Sequence, residues 1–138
     1  LFDCQVYSQQ LQNILPSIIG SQVIAVIDHM LLPAWKNFND DDYKLWQQTI
    51  AMVAKCPNIY LKISGADMFQ NKSAFDTIIN YCLDQFSIDK LVYGSNYPVS
   101  SNSNYSDWYD FINGLNISDT QKEKIFFKNA AKLFKFTL

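Results

Sequence analysis

Four short apolar runs, each followed by a stretch with apolar residues at helical spacing, divide this chain into repeating strand–helix units. The runs are Phe2-Asp3-Cys4-Gln5-Val6, Val23-Ile24-Ala25-Val26-Ile27, Ile59-Tyr60-Leu61-Lys62-Ile63 and Lys90-Leu91-Val92-Tyr93. After the first, Leu11, Ile14, Leu15, Ile18 and Ile19 recur on one helical face; after the second, Tyr43, Trp46, Ile50 and Val53 do. Phe75, Ile78, Ile79, Cys82 and Phe86 follow the third, and Ile125, Phe126, Ala130, Leu133 and Phe134 mark the last helix. Strands joined through helices run parallel, because only a long crossover returns the chain in the same direction. The expected fold class is therefore α/β, with four parallel strands alternating with helices in one domain over residues 1–138.

The punctuation agrees. Asn39-Asp40-Asp41-Asp42 suits a helix start, where side-chain oxygens cap free amides and negative charge meets the positive dipole end. A calcium loop would need a turn glycine and a downstream bidentate glutamate, and both are missing. A shorter helix is expected over Asp107 to Ile112, ended by Asn113-Gly114, and the last helix from Ser118. Ser100 to Asn104 is a polar, small-residue run after the last strand, either a mobile rim loop or a plain connection.

Composition excludes several partners. A net charge of −2, with eleven basic residues scattered along the chain, does not suit nucleic acid. No apolar run reaches the roughly 18 to 20 residues of a membrane span. Three cysteines, without close pairing, read as reduced thiols in a cytoplasmic protein.

Alternation along a strand sorts the polar side chains onto one face. Tyr60, Lys62 and Ser64 share a face in the third strand, Val92, Gly94 and Asn96 in the last, and Asp3 and Gln5 in the first. His29 lies on the parity of Ala25 and Ile27, and Asp28, of opposite parity, is expected to anchor the loop. Asp3, Gln5, His29, Lys62, Ser64 and Asn96 are expected to converge at one rim. His29 is the chain's single histidine, and imidazole is both a metal ligand and a cation near neutral pH.

In family order across nearly the whole chain stand Phe2-Asp3-Cys4, Asp28-His29 closing a strand, Pro57-Asn58 through Lys62-Ile63-Ser64-Gly65, Gly94-Ser95-Asn96-Tyr97-Pro98, and Asn129-Ala130. This ordered set resembles the lactonase- and decarboxylase-like branch of the amidohydrolase superfamily, amidohydrolase 2. The resemblance implies the C-terminal half of a (β/α)8 TIM barrel, strands five to eight. At about 35 residues per unit, eight units would need roughly twice this length. Because the chain opens with Leu1, it is expected to be a piece of a longer one.

The resemblance also implies roles. It points to hydrolysis of a lactone, ester or amide in a small molecule, by water attacking a carbonyl polarised by metal or by histidine and lysine. His29, Asn96 and Lys62 would be the catalytic set, with His29 also a metal ligand. Asp3, Gln5, Ser64 and Tyr97 would contact the substrate. The family's divalent metal, zinc first, needs ligands from a first strand absent here, so this chain should bind it poorly. Asn96 stands where the family has an aspartate that takes a proton from water. An amide cannot act as a base, so a non-catalytic binding protein and a structural half-barrel are the rival readings. Leu31 and Leu32 replace the family's glycine and basic residue before Pro33, which tilts the ligand toward a neutral one. Cut from a barrel, Val92, Ala25 and Tyr60 should lose inner packing partners. The chain is then expected to form a homodimer or to associate with an N-terminal half.

Overall fold

The computed structural model of the chain describes residues 1–32, 39–65, 72–99 and 105–136. The expectations about Pro33 and the Ser100–Asn104 loop fall outside these residues. Strand β1 (Phe2–Cys4) leads to helix α1 (Ser8–Ile19), and β2 (Ala25–Ile27) runs into a tight turn over Asp28–Leu31. Helix α2 (Asp40–Val53), β3 (Ile59–Ile63), α3 (Lys72–Gln85), β4 (Leu91–Tyr93) and α4 (Tyr105–Asn113) follow. A continuous C-terminal helix comprises α5 (Asp119–Glu123), a π-helical turn over Lys124–Lys128 and α6 (Asn129–Phe134). The sheet is parallel throughout, in the order β1-β2-β3-β4. These are the four parallel strands alternating with helices that the sequence pattern predicts, in the arrangement that the resemblance to a half-barrel implies.

Local chemistry sets the helix ends. Asn39 Oδ1 accepts the amides of Asp41 at 2.9 Å and Asp42 at 3.0 Å, so the polar cluster caps α2. Ser118 caps α5 in the same way, through the amide of Gln121. The extra residue in the π turn keeps Ile125, Asn129 and Leu133 buried along one side of the C-terminal helix.

Register fixes the two faces of the sheet. Cys4, Ile27, Leu61 and Leu91 lie side by side across the four strands, and Ala25 pairs with Ile59. This face is buried with Leu11, Leu15, Trp46, Ile50, Ile79 and Cys82 in the main core. Each fully buried aliphatic side chain there contributes about 1.5–3 kcal/mol. The opposite face carries Asp3, Val26, Tyr60, Lys62 and Val92.

That assignment corrects the expectation for Ala25, which belongs to the helix side. It also changes the account of Val92. Val26 and Val92 are 0% and 2% exposed because Leu133 joins them in a second buried cluster, with Tyr60 and Ala130 packed against it. The C-terminal helix therefore covers the lower part of the inner face.

Two side-chain amides, the buried Asn129 and the half-buried Asn58, lock the lower ends of the strands. Asn129 Nδ2 donates to the carbonyls of Ile88 and Leu91, at 2.6 and 2.8 Å, joining the last helix to the start of β4. Asn58 Nδ2 donates to Ile18 O and Val23 O, at 2.9 and 2.8 Å, tying the end of α1 and the approach to β2 to the start of β3.

Candidate active-site rim

At the C-terminal end of β3, Lys62 and Ser64 project from the inner face two residues apart, and each meets a residue of the β2 turn. His29 Nδ1 lies 2.7 Å from Ser64 Oγ, with both residues buried. Lys62 Nζ lies 2.5 Å from Asp28 Oδ1 and 3.2 Å from Asp3 Oδ1. So β1, β2 and β3 all contribute to a single polar cluster.

The alternation of the strand does not explain how His29 gets there. By parity with Ala25 and Ile27 it would face the helices. Instead the strand stops at Ile27, and the backbone turns left-handed for four residues. His29, Met30, Leu31 and Leu32 have φ of 51°, 53°, 64° and 45°. Such residues cost roughly 1–2 kcal/mol each. The offset comes from burial: Met30 and Leu31 are 0% exposed and Leu32 9%, at about 1.5–3 kcal/mol per side chain. Leu31 occupies the position where glycine would relieve this strain, and its side chain joins the main core.

Asp28 is the site residue whose role the sequence reading missed. It continues the parity of Asp3 and Val26 in its own and the neighbouring strand, so its carboxylate meets Lys62. Burial alone would lower the Lys62 pKa, but hydrogen bonds and charge attraction from Asp28 and then Asp3 outweigh it and raise it. Lys62 is therefore held as an ammonium and cannot serve as a base. Nζ donates to Asp3 and makes a closer ion-pair contact with Asp28, and an ammonium with three N–H groups keeps donor capacity for a substrate oxygen. The cluster carries one net negative charge.

The β4 rim closes against this cluster. A Cβ on Gly94 would lie 3.0 Å from Lys62 Cδ and 3.1 Å from Ser64 Cβ, so a side chain there would crowd both residues and push them back. Asn96 follows at φ 57°, a left-handed conformation that asparagine and aspartate tolerate better than most residues. Tyr97 is 59% exposed and meets Tyr105 edge-on. Gln5 is exposed just past β1.

A metal site is not complete here. Among the described residues, no group of three or more His, Cys, Asp or Glu side chains could hold an ion. Because Nδ1 is committed to Ser64, any bond from His29 to a metal or substrate has to come from Nε2. His29 is the chain's one imidazole, and Ser64 orients it as outer partners do around metals.

The profile of the amidohydrolase family matches residues 22–136, so the chain belongs to the amidohydrolase family, in its amidohydrolase 2 branch. No curated protein matched the sequence. Among solved structures, it is similar to an amidohydrolase from Burkholderia multivorans with bound zinc, at TM-score 0.84 and 21% identity, covering 98% of this chain and 52% of that one. It is also similar to a probable 2-pyrone-4,6-dicarboxylic acid hydrolase from Acinetobacter baumannii with citric acid bound (TM-score 0.75, 20% identity, 97% of this chain, 52% of that one). A dihydroxybenzoic acid decarboxylase from a Polaromonas species, with bound manganese and an inhibitor, is more distant (TM-score 0.52, 16% identity, 80% and 33%). These likenesses show the half TIM barrel. The chain spans about half the length of the first two of these relatives.

Proposed function

We propose that this chain forms the C-terminal half of the catalytic barrel of a hydrolase that opens a lactone, ester or amide bond in a small, uncharged molecule. The observation that carries the reading is the convergence of His29, Ser64 and Lys62 at one strand rim. In it, His29 binds or polarises the substrate carbonyl, and Lys62 Nζ donates to the oxygen as charge develops there. Asn96 orients water or substrate by hydrogen bonding without taking a proton. Asp3, Gln5 and Tyr97 line the approach.

Two features favour a neutral substrate. The Asp3–Lys62–Asp28 cluster is net negative, and all eleven basic residues of the chain are lysines, so the planar fork that grips carboxylates is missing. The family's divalent metal would gain one ligand, His29, from this chain, with the rest supplied by the complementary half of the barrel. No helix among the described residues is long and apolar enough to cross a membrane. Three buried free thiols fit a reducing compartment, and we read the protein as cytoplasmic.

Asn96 favours one other reading, a binding protein that keeps the site but not the turnover. The natural protein carrying this chain, assayed with neutral lactones, esters and amides in zinc-containing buffer, separates them. We expect turnover that falls about a hundredfold or more in His29→Gln. Turnover that survives His29→Gln unchanged refutes the assignment. Ligand binding without any turnover selects the binding protein.

A further inference from the structure

We propose that Trp46 and Trp108 are positioning residues for the rim: each indole N–H holds one of the two turns that flank the His29–Ser64 pair. Trp46, on α2, donates from Nε1 to Met30 O at 2.9 Å. Met30 follows His29 inside the left-handed turn and is itself fully buried. Trp108, on α4, donates from Nε1 to Gly94 O at 2.8 Å. Gly94 is the residue whose backbone lies against Ser64, the hydrogen-bond partner of His29.

The two bonds are therefore equivalent devices on opposite sides of one pair. One fixes the turn after β2, which carries His29. The other fixes the turn after β4, which supports Ser64 and leads to Asn96. An indole has a single N–H and no acceptor, so its one bond sets the direction of the carbonyl it meets.

Neither donor is loosely held. Trp46 is 1% exposed, stacks on Tyr43 at 5.6 Å and tilts against Tyr81 at 5.3 Å. Trp108 is 5% exposed and sits between Phe75 at 4.9 Å and Phe111 at 5.3 Å. Rigid rings on helices thus transmit the position of the outer layer to the rim. The pinning stands without the hydrolase reading; only its effect on turnover rests on that reading.

The test uses the single histidine of the chain, whose imidazole gives one set of NMR signals in histidine-labelled protein. Trp46→Phe and Trp108→Phe remove the donors, and Ile50→Val loosens the same core without touching either bond. Denaturant midpoints are measured for all three. We expect both tryptophan variants to shift and broaden the imidazole signals, while Ile50→Val leaves them as in the wild type. Should a phenylalanine variant fail to unfold cooperatively, benzothienylalanine at that position removes the N–H and keeps the ring volume. Imidazole signals that stay unchanged in both variants, or that move equally in Ile50→Val, overturn the proposal. In the natural protein, kcat should fall up to about a hundredfold with KM little changed. Moved imidazole signals with unchanged kcat would count against the hydrolase reading and leave the pins standing.

Discussion

Asp28 Oδ1 and Lys62 Nζ lie 2.5 Å apart across neighbouring strands, with side chains 15% and 24% exposed. Lys62→Met would leave Asp28 and Asp3 as adjacent like charges with no counter-ion. Breaking a fully buried pair costs about 3–5 kcal/mol and an exposed one under about 1 kcal/mol, so we expect a loss of about 2 kcal/mol. Asp3 is the outer member, 53% exposed, and Asp3→Ala should cost less than about 1 kcal/mol. Urea midpoints of the two variants measure the difference. An equal loss in both would show that Asp28 is not the principal partner.

The alkaline limb of stability follows from the raised pKa values. Burial pushes the Cys82 thiol well above its ordinary 9.0, and Lys62 lies above its ordinary 10.5. A group whose pKa is raised by folding stabilises fully below its unfolded value and loses that contribution as pH climbs toward the folded one. Stability should therefore start to decline above pH 9.0, as the unfolded thiol ionises, and decline further above 10.5 with Lys62. Cys82→Ala should lower the plateau yet flatten the first part of the decline. An unaltered slope in that variant would assign the decline to other groups.

Asn129 holds two backbone carbonyls with one amide, and the residue is 5% exposed. Asn129→Leu should leave both carbonyls short of a donor, at about 1–3 kcal/mol. Thermal unfolding monitored by circular dichroism would show the drop. Faster amide exchange at β4 than at β2 would locate it, and uniform exchange would argue against a local clip.

Asn96→Asp should raise turnover in the natural protein, since a general base is worth roughly a hundred- to ten-thousandfold. The left-handed backbone there accepts aspartate about as well as asparagine, so folding should be spared. A fall in kcat with folding intact would mean that the site works through the amide.

We also propose that the isolated chain self-associates. Within the described sheet β1 pairs only with β2, and Leu1 and Phe2 are 56% and 52% exposed. Phe134 and Phe136 stack on each other at 6.2 Å while 46% and 68% exposed. An open parallel edge beside exposed aromatics invites another chain. Light scattering at micromolar concentration should show a dimer or larger species, and a cooperative monomer would rule this out.

How much of this was legible beforehand differs by level. The alternation of strands and helices and the inward set of Lys62, Ser64 and Gly94 follow from periods of two and 3.6. The helix cap at Asn39 follows from its oxygen chemistry. The role of Asp28 and the route of His29 did not, because alternation has no meaning once the backbone turns left-handed at residue 29. The indole bonds were equally hidden. Trp46 reads as one more apolar stripe residue, and its partner Met30 lies sixteen positions upstream. The covering of Val92 by Leu133 depends on where the π turn steers the last helix, which a hydrophobic pattern does not encode.

The asparagine clips act at the lower ends of the strands, and the indole pins at the upper ends. Because the two sets share no residue, the forces that keep the strands in register are separate from those that shape the mouth. Substitutions around Asn96 and Tyr97 can then accumulate without threatening the foundation beneath them. The mouth of the sheet can therefore be reshaped while the register below it is kept.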